Sequence, residues 1–236
     1  MQMIIYESEK MRVYKLRTAR TSCFVIRTGN TAVLWDTSMA YERRTILKEF
    51  TGLNINKLDA VFVSHSHTDH AANVDFFSKK FDCPVYVHGD GIRNIKNGRC
   101  PVPRGTNLSG KIINWLSQTA KPIYNFESIA ACSQTYELTG SVVEKYLGDN
   151  AELLFSPGHS PDSVSLVIDG KIALVGDVFV NMFMQFYPPF ADNPDMLLSS
   201  WELLSNKECE WYYPGHGGPV SLKMLNQNIK KLKEKR

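Results

Sequence analysis

The apolar positions of the chain fall into short runs divided by turn residues. Cys23-Phe24-Val25-Ile26 and Ala32-Val33-Leu34-Trp35 flank Gly29-Asn30, a pattern that predicts a β-hairpin closed by a tight turn. Helical spacing of Tyr41, Ile46, Leu47 and Phe50 follows, with Thr51-Gly52 as a stop. Ala60-Val61-Phe62-Val63 is short and continuously apolar, as a strand buried on both faces should be. A helix over about 71–80 and a strand at Val85-Tyr86-Val87 continue the alternation of strand and helix. Residues 89–110 are rich in Gly, Pro, Asn and Arg without periodicity, and read as a functional loop, a lid or partial disorder. A short helix is expected over 111–117, and the path between Thr119 and Asn150 shows no clear pattern.

The pattern sharpens again at Glu152-Leu153-Leu154-Phe155, a strand, and at Val164–Ile168 and Ile172–Val175, a second hairpin around Asp169-Gly170. A helix near Met196–Ser205, a strand Trp211-Tyr212-Tyr213 and a helix with Ser221 as N-cap complete the chain. Hairpins and helices occur in both halves, which suits two packed sheets with helices outside. At 236 residues, 43% hydrophobic and 22% charged, the chain fits one α/β (α+β) domain over residues 1–236 and no long disordered tract. The formal charge of +3 names no partner, because much of the basic excess sits in Lys230-Lys231-Leu232-Lys233-Glu234-Lys235-Arg236. Glu7 arrives before any long apolar stretch can form, so neither a signal peptide nor a membrane span is read, and a cytoplasmic protein is expected. Cys23, Cys83, Cys100, Cys132 and Cys209 are odd in number and lack C-x-x-C spacing; they read as free thiols in a reducing compartment.

Chemistry concentrates at His65-Ser66-His67-Thr68-Asp69-His70, just past a buried strand. In extended backbone His65 and His67 project to the same side, so two imidazoles can form a first pair of ligands for a divalent ion such as zinc. Asp69 and His70 fall where the chain turns into a helix and can aim at a second ion. Further donors must come from elsewhere. His159 in Pro157-Gly158-His159, Asp177 in Gly176-Asp177 and His216 in Pro214-Gly215-His216-Gly217 each follow a predicted strand and adjoin glycine, which lets the backbone approach closely. The bland alternative is a surface histidine-rich turn that binds nothing, and the distant partners weigh against it. His88, at a strand end, reads as a structural histidine.

A His-x-His-x-Asp-His run followed by Gly-His, Gly-Asp and Gly-His resembles the metallo-β-lactamase superfamily in order and spacing, from the first hairpin to Gly217. The resemblance implies a four-layer αββα sandwich. It implies that His65, His67 and His159 hold one metal, that Asp69, His70 and His216 hold the other, and that Asp177 bridges them. Asp36 matches an early acidic position with a structural role. The superfamily runs many chemistries on one scaffold, so fold does not specify substrate.

The resemblance makes the chain a dinuclear metallohydrolase, with zinc first and iron or manganese also suited to such ligands. Metal-bound hydroxide would attack a small-molecule ester-like bond, thioester or lactone first, and Asp69 would act as the catalytic proton carrier. An Asp at position 177 argues against antibiotic hydrolysis, and the length leaves no room for a flavodoxin domain or an inserted nuclease cap. A phosphodiesterase or nuclease on the same site is the second reading, and a metal-binding module without catalysis the third. The expected partner is a small molecule, with a membrane and nucleic acid not expected and a homodimer left open. Val178–Phe190, dense in aromatics and Met, is read as either a substrate-lining loop or core packing, and Arg93, Lys96, Arg99 and Arg104 as anion contacts or solvated loop charge.

Overall fold

In the computed structural model, residues 3–101, 104–119, 128–182 and 185–234 are described. Strands β1 (Met3–Glu7), β2 (Met11–Lys15), β3 (Phe24–Thr28) and β4 (Thr31–Trp35) lead through a 3-10 turn (Ala40–Glu42) to helix α1 (Arg43–Gly52). Then come β5 (Ala60–Phe62), α2 (Thr68–Ala71), α3 (Val74–Phe81), β6 (Val85–Val87), α4 (Gly89–Asn97), α5 (Leu108–Thr119), β7 (Thr135–Glu137) and α6 (Gly140–Leu147). The remainder is β8 (Ala151–Phe155), β9 (Val164–Ile168), β10 (Ile172–Gly176), α7 (Pro194–Ser205), β11 (Trp211–Pro214), β12 (Val220–Ser221) and α8 (Leu222–Glu234). The chain divides into two compact units, Met1–Pro101 with Glu127–Asp149, and Val102–Phe126 with Asn150–Arg236.

The first unit carries a seven-stranded sheet in the order β1 to β7, antiparallel as far as β4 and parallel from β4 to β7. The predicted hairpin is β3–β4, and Gly29 supplies the positive φ of its turn. On one face, Val25, Leu34, Val61 and Val85 share a core with Ile46 and Phe50 of α1, Val74 and Phe77 of α3 and Ile95 of α4. Their alternates Phe24, Ile26, Val33, Trp35 and Phe62 are buried too. Burial on both faces explains why these strands show no polar alternation. Part of that second face meets α6, whose Tyr146 ring lies 5.8 Å from Phe62 and 5.7 Å from Tyr86.

Several elements differ from the sequence expectation. The helix expected over 71–80 is two pieces, α2 and α3, divided at Asn73. The Asn73 side chain donates to the carbonyls of Thr37 and Met39, both at 2.8 Å, and its φ of −111° interrupts the helix. The loop expected over 89–110 begins as α4. His88 caps it, Nδ1 accepting from the Asp90 N–H at 3.4 Å, and Gly98 ends it at φ +66°. His88 is therefore a structural histidine, as read.

The second unit holds a five-stranded sheet in the order β12-β11-β10-β9-β8, with β10–β11 its parallel pair. Leu197, Trp201 and Leu204 of α7 and Leu225 and Ile229 of α8 pack with Val167, Ala173, Val175 and Tyr212. Asn193 caps α7, accepting from the Asp195 and Met196 N–H groups at 3.1 Å each, and Pro194 opens the helix. Ser221 Oγ accepts from the Met224 N–H at 3.3 Å, the cap expected of it.

The aromatic segment after Asp177 starts as core, while Met182 and Gln185 are exposed and Phe190 is half-buried. Val178, Phe179 and Val180 are buried, and Phe186 stacks on Phe179 at 5.0 Å and meets Trp201 edge-on at 5.0 Å. Phe183 and Met184 lie outside the described residues, as do Lys235 and Arg236 of the basic tail. Arg93, Lys96, Arg99 and Arg104 are all exposed. No described helix is long and apolar enough to cross a membrane.

All five cysteines are buried free thiols. Burial pushes the Cys83 thiol up to about 12 and that of Cys209 up to about 11, and raises Cys23 as well. Since the thiolate is the reactive form, native protein at pH 8 should release less than about one equivalent of thionitrobenzoate from Ellman's reagent. Protein unfolded in guanidinium should release five. Rapid native labelling of several thiols would contradict the packing described.

Candidate metal centre

Strands β4 and β5 run parallel with Trp35 opposite Phe62, so the residues that follow them, Asp36 and the 63–70 segment, emerge side by side. Asp36 takes a left-handed φ of +60° and is 1% exposed. Its Oδ1 accepts from the Ser64 N–H at 2.8 Å, and its Oδ2 from the Ser64 hydroxyl at 2.9 Å and His70 Nδ1 at 2.8 Å. A neutral imidazole that donates from Nδ1 carries its lone pair on Nε2, the nitrogen left to bind a metal. Ser64 Oγ, its proton given to Asp36, lies 3.0 Å from His65 Nδ1 and accepts from it, with the same consequence for His65. The His65 ring centroid lies 4.5 Å from that of His67 and 4.1 Å from that of His70.

His67 has extended backbone, and Asp69 and His70 occupy the short helix α2 that it opens. Backbone bonds hold this turn: the Thr37 N–H and hydroxyl both donate to the His70 carbonyl, at 2.7 and 2.9 Å. The four donors expected from the His-x-His-x-Asp-His run are thus gathered in one unit, the three imidazoles buried and Asp69 half-buried.

In the second unit the parallel pair β10–β11 sets Gly176 opposite Pro214, so Asp177 and His216 leave adjacent strand ends. The Gly215 N–H donates to the Gly176 carbonyl at 2.7 Å, and the Asn181 N–H to the His216 carbonyl at 3.0 Å. Gly217 has φ +98°, and a Cβ there would stand 2.0 Å from the Asn181 carbonyl oxygen; only glycine fits. His159 sits in the turn between β8 and β9, after Gly158 at φ +130°, where a Cβ would stand 2.3 Å from the Leu197 nitrogen.

His159 Nδ1 lies 2.9 Å from the Phe190 carbonyl oxygen, which can only accept, so the lone pair of this neutral imidazole is again on Nε2. That nitrogen is 3.7 Å from Asp177 Oδ2, and His216 Nε2 is 3.2 Å from the same oxygen. The three donors expected from the distant glycine motifs therefore meet around one carboxylate, itself 9% exposed in its side chain.

Histidine and aspartate groups of this kind hold divalent cations. The residues fit such ions: buried imidazoles with Nδ1 engaged and Nε2 presented, and a buried carboxylate among them. Sequence reasoning did not single out Ser64 or the Phe190 carbonyl, which set the orientation of His65 and His159. Ser64 adjoins the histidine run but carries no spacing signal, and a backbone carbonyl carries none in any sequence.

Residues 17–99 match the family model for the metallo-beta-lactamase superfamily. The chain is 32% identical over 162 residues to the probable metallo-hydrolase YqgX of Bacillus subtilis (strain 168), covering 67% of this chain and 68% of that protein. It is 28% identical over 172 residues to the probable RNase MJ4 of Methanocaldococcus jannaschii, covering 66% of this chain and 36% of that protein. Among solved structures it resembles the metallo-beta-lactamase family protein TTHA1429 of Thermus thermophilus, with a TM-score of 0.69 and 17% identity over 94% of this chain and 78% of that one. The structural likeness shows the fold, the relative at 32% identity shows the family, and the chain belongs to the metallo-β-lactamase superfamily.

Proposed function

We propose that this protein is a metal-dependent hydrolase of a small-molecule ester-like bond, thioester or lactone first, working through a dinuclear centre. In this reading His65, His67 and His159 hold one ion, Asp69, His70 and His216 hold the other, and Asp177 is shared. The observation that carries it is Asp177 itself. One oxygen of this buried side chain, Oδ2, faces Nε2 of both His159 and His216, at 3.7 and 3.2 Å, as a ligand common to two ions would. Relatives named probable metallo-hydrolases support the same reaction class. Zinc is the proposed metal, with iron and manganese compatible with the same donors. Five buried free thiols favour a reducing, cytoplasmic setting.

Two divalent ions in such a site acidify a water and polarise the substrate oxygen. The protein's own part is orientation and proton handling. Asp36 and Ser64 hold the Nδ1 protons of His70 and His65, and the Phe190 carbonyl holds that of His159. Asp69, half-buried in α2, is in this reading the group that carries the proton. Phosphodiester cleavage is the second reading, favoured by the relative named a probable RNase. Turnover of bis(p-nitrophenyl) phosphate well above that of a thioester or lactone would select it.

Purified protein should carry about two divalent ions per chain by elemental analysis, and lose activity on chelation. Asp177→Ala should lower that content to one or none; two tightly held ions in this variant would remove the shared-ligand assignment. Asp69→Asn should cut kcat by about a hundredfold or more while KM moves little. Unchanged turnover would take the proton-carrier role from it. Asp36→Asn, which touches no ion in this scheme, should weaken metal affinity by about 10- to 100-fold in a chelator competition. Equal affinity in variant and wild type would show that the Asp36–His70 contact does not tune the ligand.

A further inference from the structure

Ser66 lies in the histidine run between His65 and His67, whose ring centroids are 4.5 Å apart. Ser66 is 1% exposed, so its hydroxyl is buried. There it accepts a hydrogen bond from Asn94 Nδ2 at 2.9 Å. Asn94 belongs to α4, part of the stretch whose composition reads as a loop.

The helix is fixed independently of this contact. His88 caps its start, Ile95 is buried in the first unit's core, and the Gly98 turn closes it, where a Cβ would stand 2.6 Å from the Ile129 carbonyl oxygen. Asn94 therefore reaches Ser66 from a firmly seated support. His70 has its own anchor in Asp36, at 2.8 Å, and the Thr37 contacts to its carbonyl. Along the run, His70 is thus held by Asp36 and Thr37, His65 by Ser64, and Ser66, between the first two histidines, by Asn94.

We propose that Asn94 is a positioning residue of the metal centre, which grips Ser66 and so sets the spacing of His65 and His67. The inference rests on the dinuclear reading above, and it assigns Asn94 to one ion and not to both. Without the grip, the buried Ser66 hydroxyl loses its Asn94 donor and the His65–His67 pair can pivot. The ion shared by these two imidazoles should be held less tightly, while the ion on the Asp69–His70 side stays as it was.

The test is a zinc titration against a chromogenic chelator on four proteins: wild type, Asn94→Leu, Ser66→Ala and the double variant. The expected result is one site weakened about 10- to 100-fold and the other unchanged in each single variant. The double variant should show no further loss, because both substitutions remove one contact. The kcat of Asn94→Leu measured at ambient zinc should fall, and saturating zinc should restore it. Asn94→Gln, which keeps an amide donor, should recover part of the affinity.

Two tight sites in Asn94→Leu, or equal weakening of both, would overturn the assignment, as would a loss of activity that excess zinc does not mend. A lowered melting temperature with wild-type zinc affinity would also overturn it, by making Asn94 structural only. Wild-type protein that binds no divalent ion fails the dinuclear reading itself, a different outcome from wild type with two sites and variants that match it.

Discussion

A carboxylate cannot be left 1% exposed without donors; an isolated buried charge of that kind costs several kcal/mol even after the protein relaxes. Asp36 meets this condition with three contacts, from the Ser64 N–H, the Ser64 hydroxyl and His70 Nδ1. The donors come from the segment after β5 and from α2, so the charge is satisfied only when β4, β5 and α2 are all in register. Packing of this corner and orientation of the ligands are one event. The left-handed backbone of Asp36, at φ +60°, is a conformation that aspartate tolerates better than most side chains. Its local cost is offset by the contacts it permits.

The second unit meets the same requirement by other means. His159 is held by a backbone carbonyl, Phe190 O, and the turns that carry His159 and His216 depend on close backbone approach at Gly158 and Gly217. Side-chain changes near Asp36 therefore act on the first group of ligands through charge and tautomer. In the second group the sensitive positions are glycines, where any Cβ collides with backbone at 2.0–2.3 Å. Two classes of substitution, chemically unrelated, converge on the same property, the direction of an Nε2 lone pair.

Much of this was legible in the sequence, for identifiable reasons. The two central hairpins and the doubly buried β5 announce themselves because apolar runs and Gly-Asn or Asp-Gly turns are local signals. Strand β1 escaped because Met3–Glu7 forms an exposed edge with an irregular register between Ile4 and Tyr6, and carries little of a burial pattern; β2 escaped although Met11, Val13 and Tyr14 are buried and Arg12 is exposed. Helix α4 escaped because its Gly, Asp and Asn residues have poor helix propensity; the His88 cap and buried Ile95 override that. Helix α6 also escaped, although Val143 and Leu147 are buried one turn apart behind the Thr139 cap. The metal donors were legible because residue type restricts them so strongly. Their holders were not, since a serine hydroxyl, an asparagine amide and a backbone carbonyl are common groups without diagnostic spacing.

Sheet topology explains why the donors lie so far apart in sequence. Antiparallel neighbours end at opposite edges of a sheet, whereas parallel neighbours end at the same edge and deliver their following residues to one place. Asp36 and the His65–His70 turn follow the parallel pair β4–β5, and Asp177 and His216 follow the parallel pair β10–β11. A parallel pair needs a crossover, and here the crossovers contain α1 and α7. The spacing from Asp36 to His65 and from Asp177 to His216 is therefore the length of a helix and its connections. Helix α7 serves both purposes, since its Leu197 backbone closes on Gly158 beside His159 and its Trp201 donates to the Val178 carbonyl at 2.7 Å, next to Asp177. The element that makes the parallel pairing possible also seats two of the donors, so packing in this unit and the geometry of its ligands cannot be changed separately.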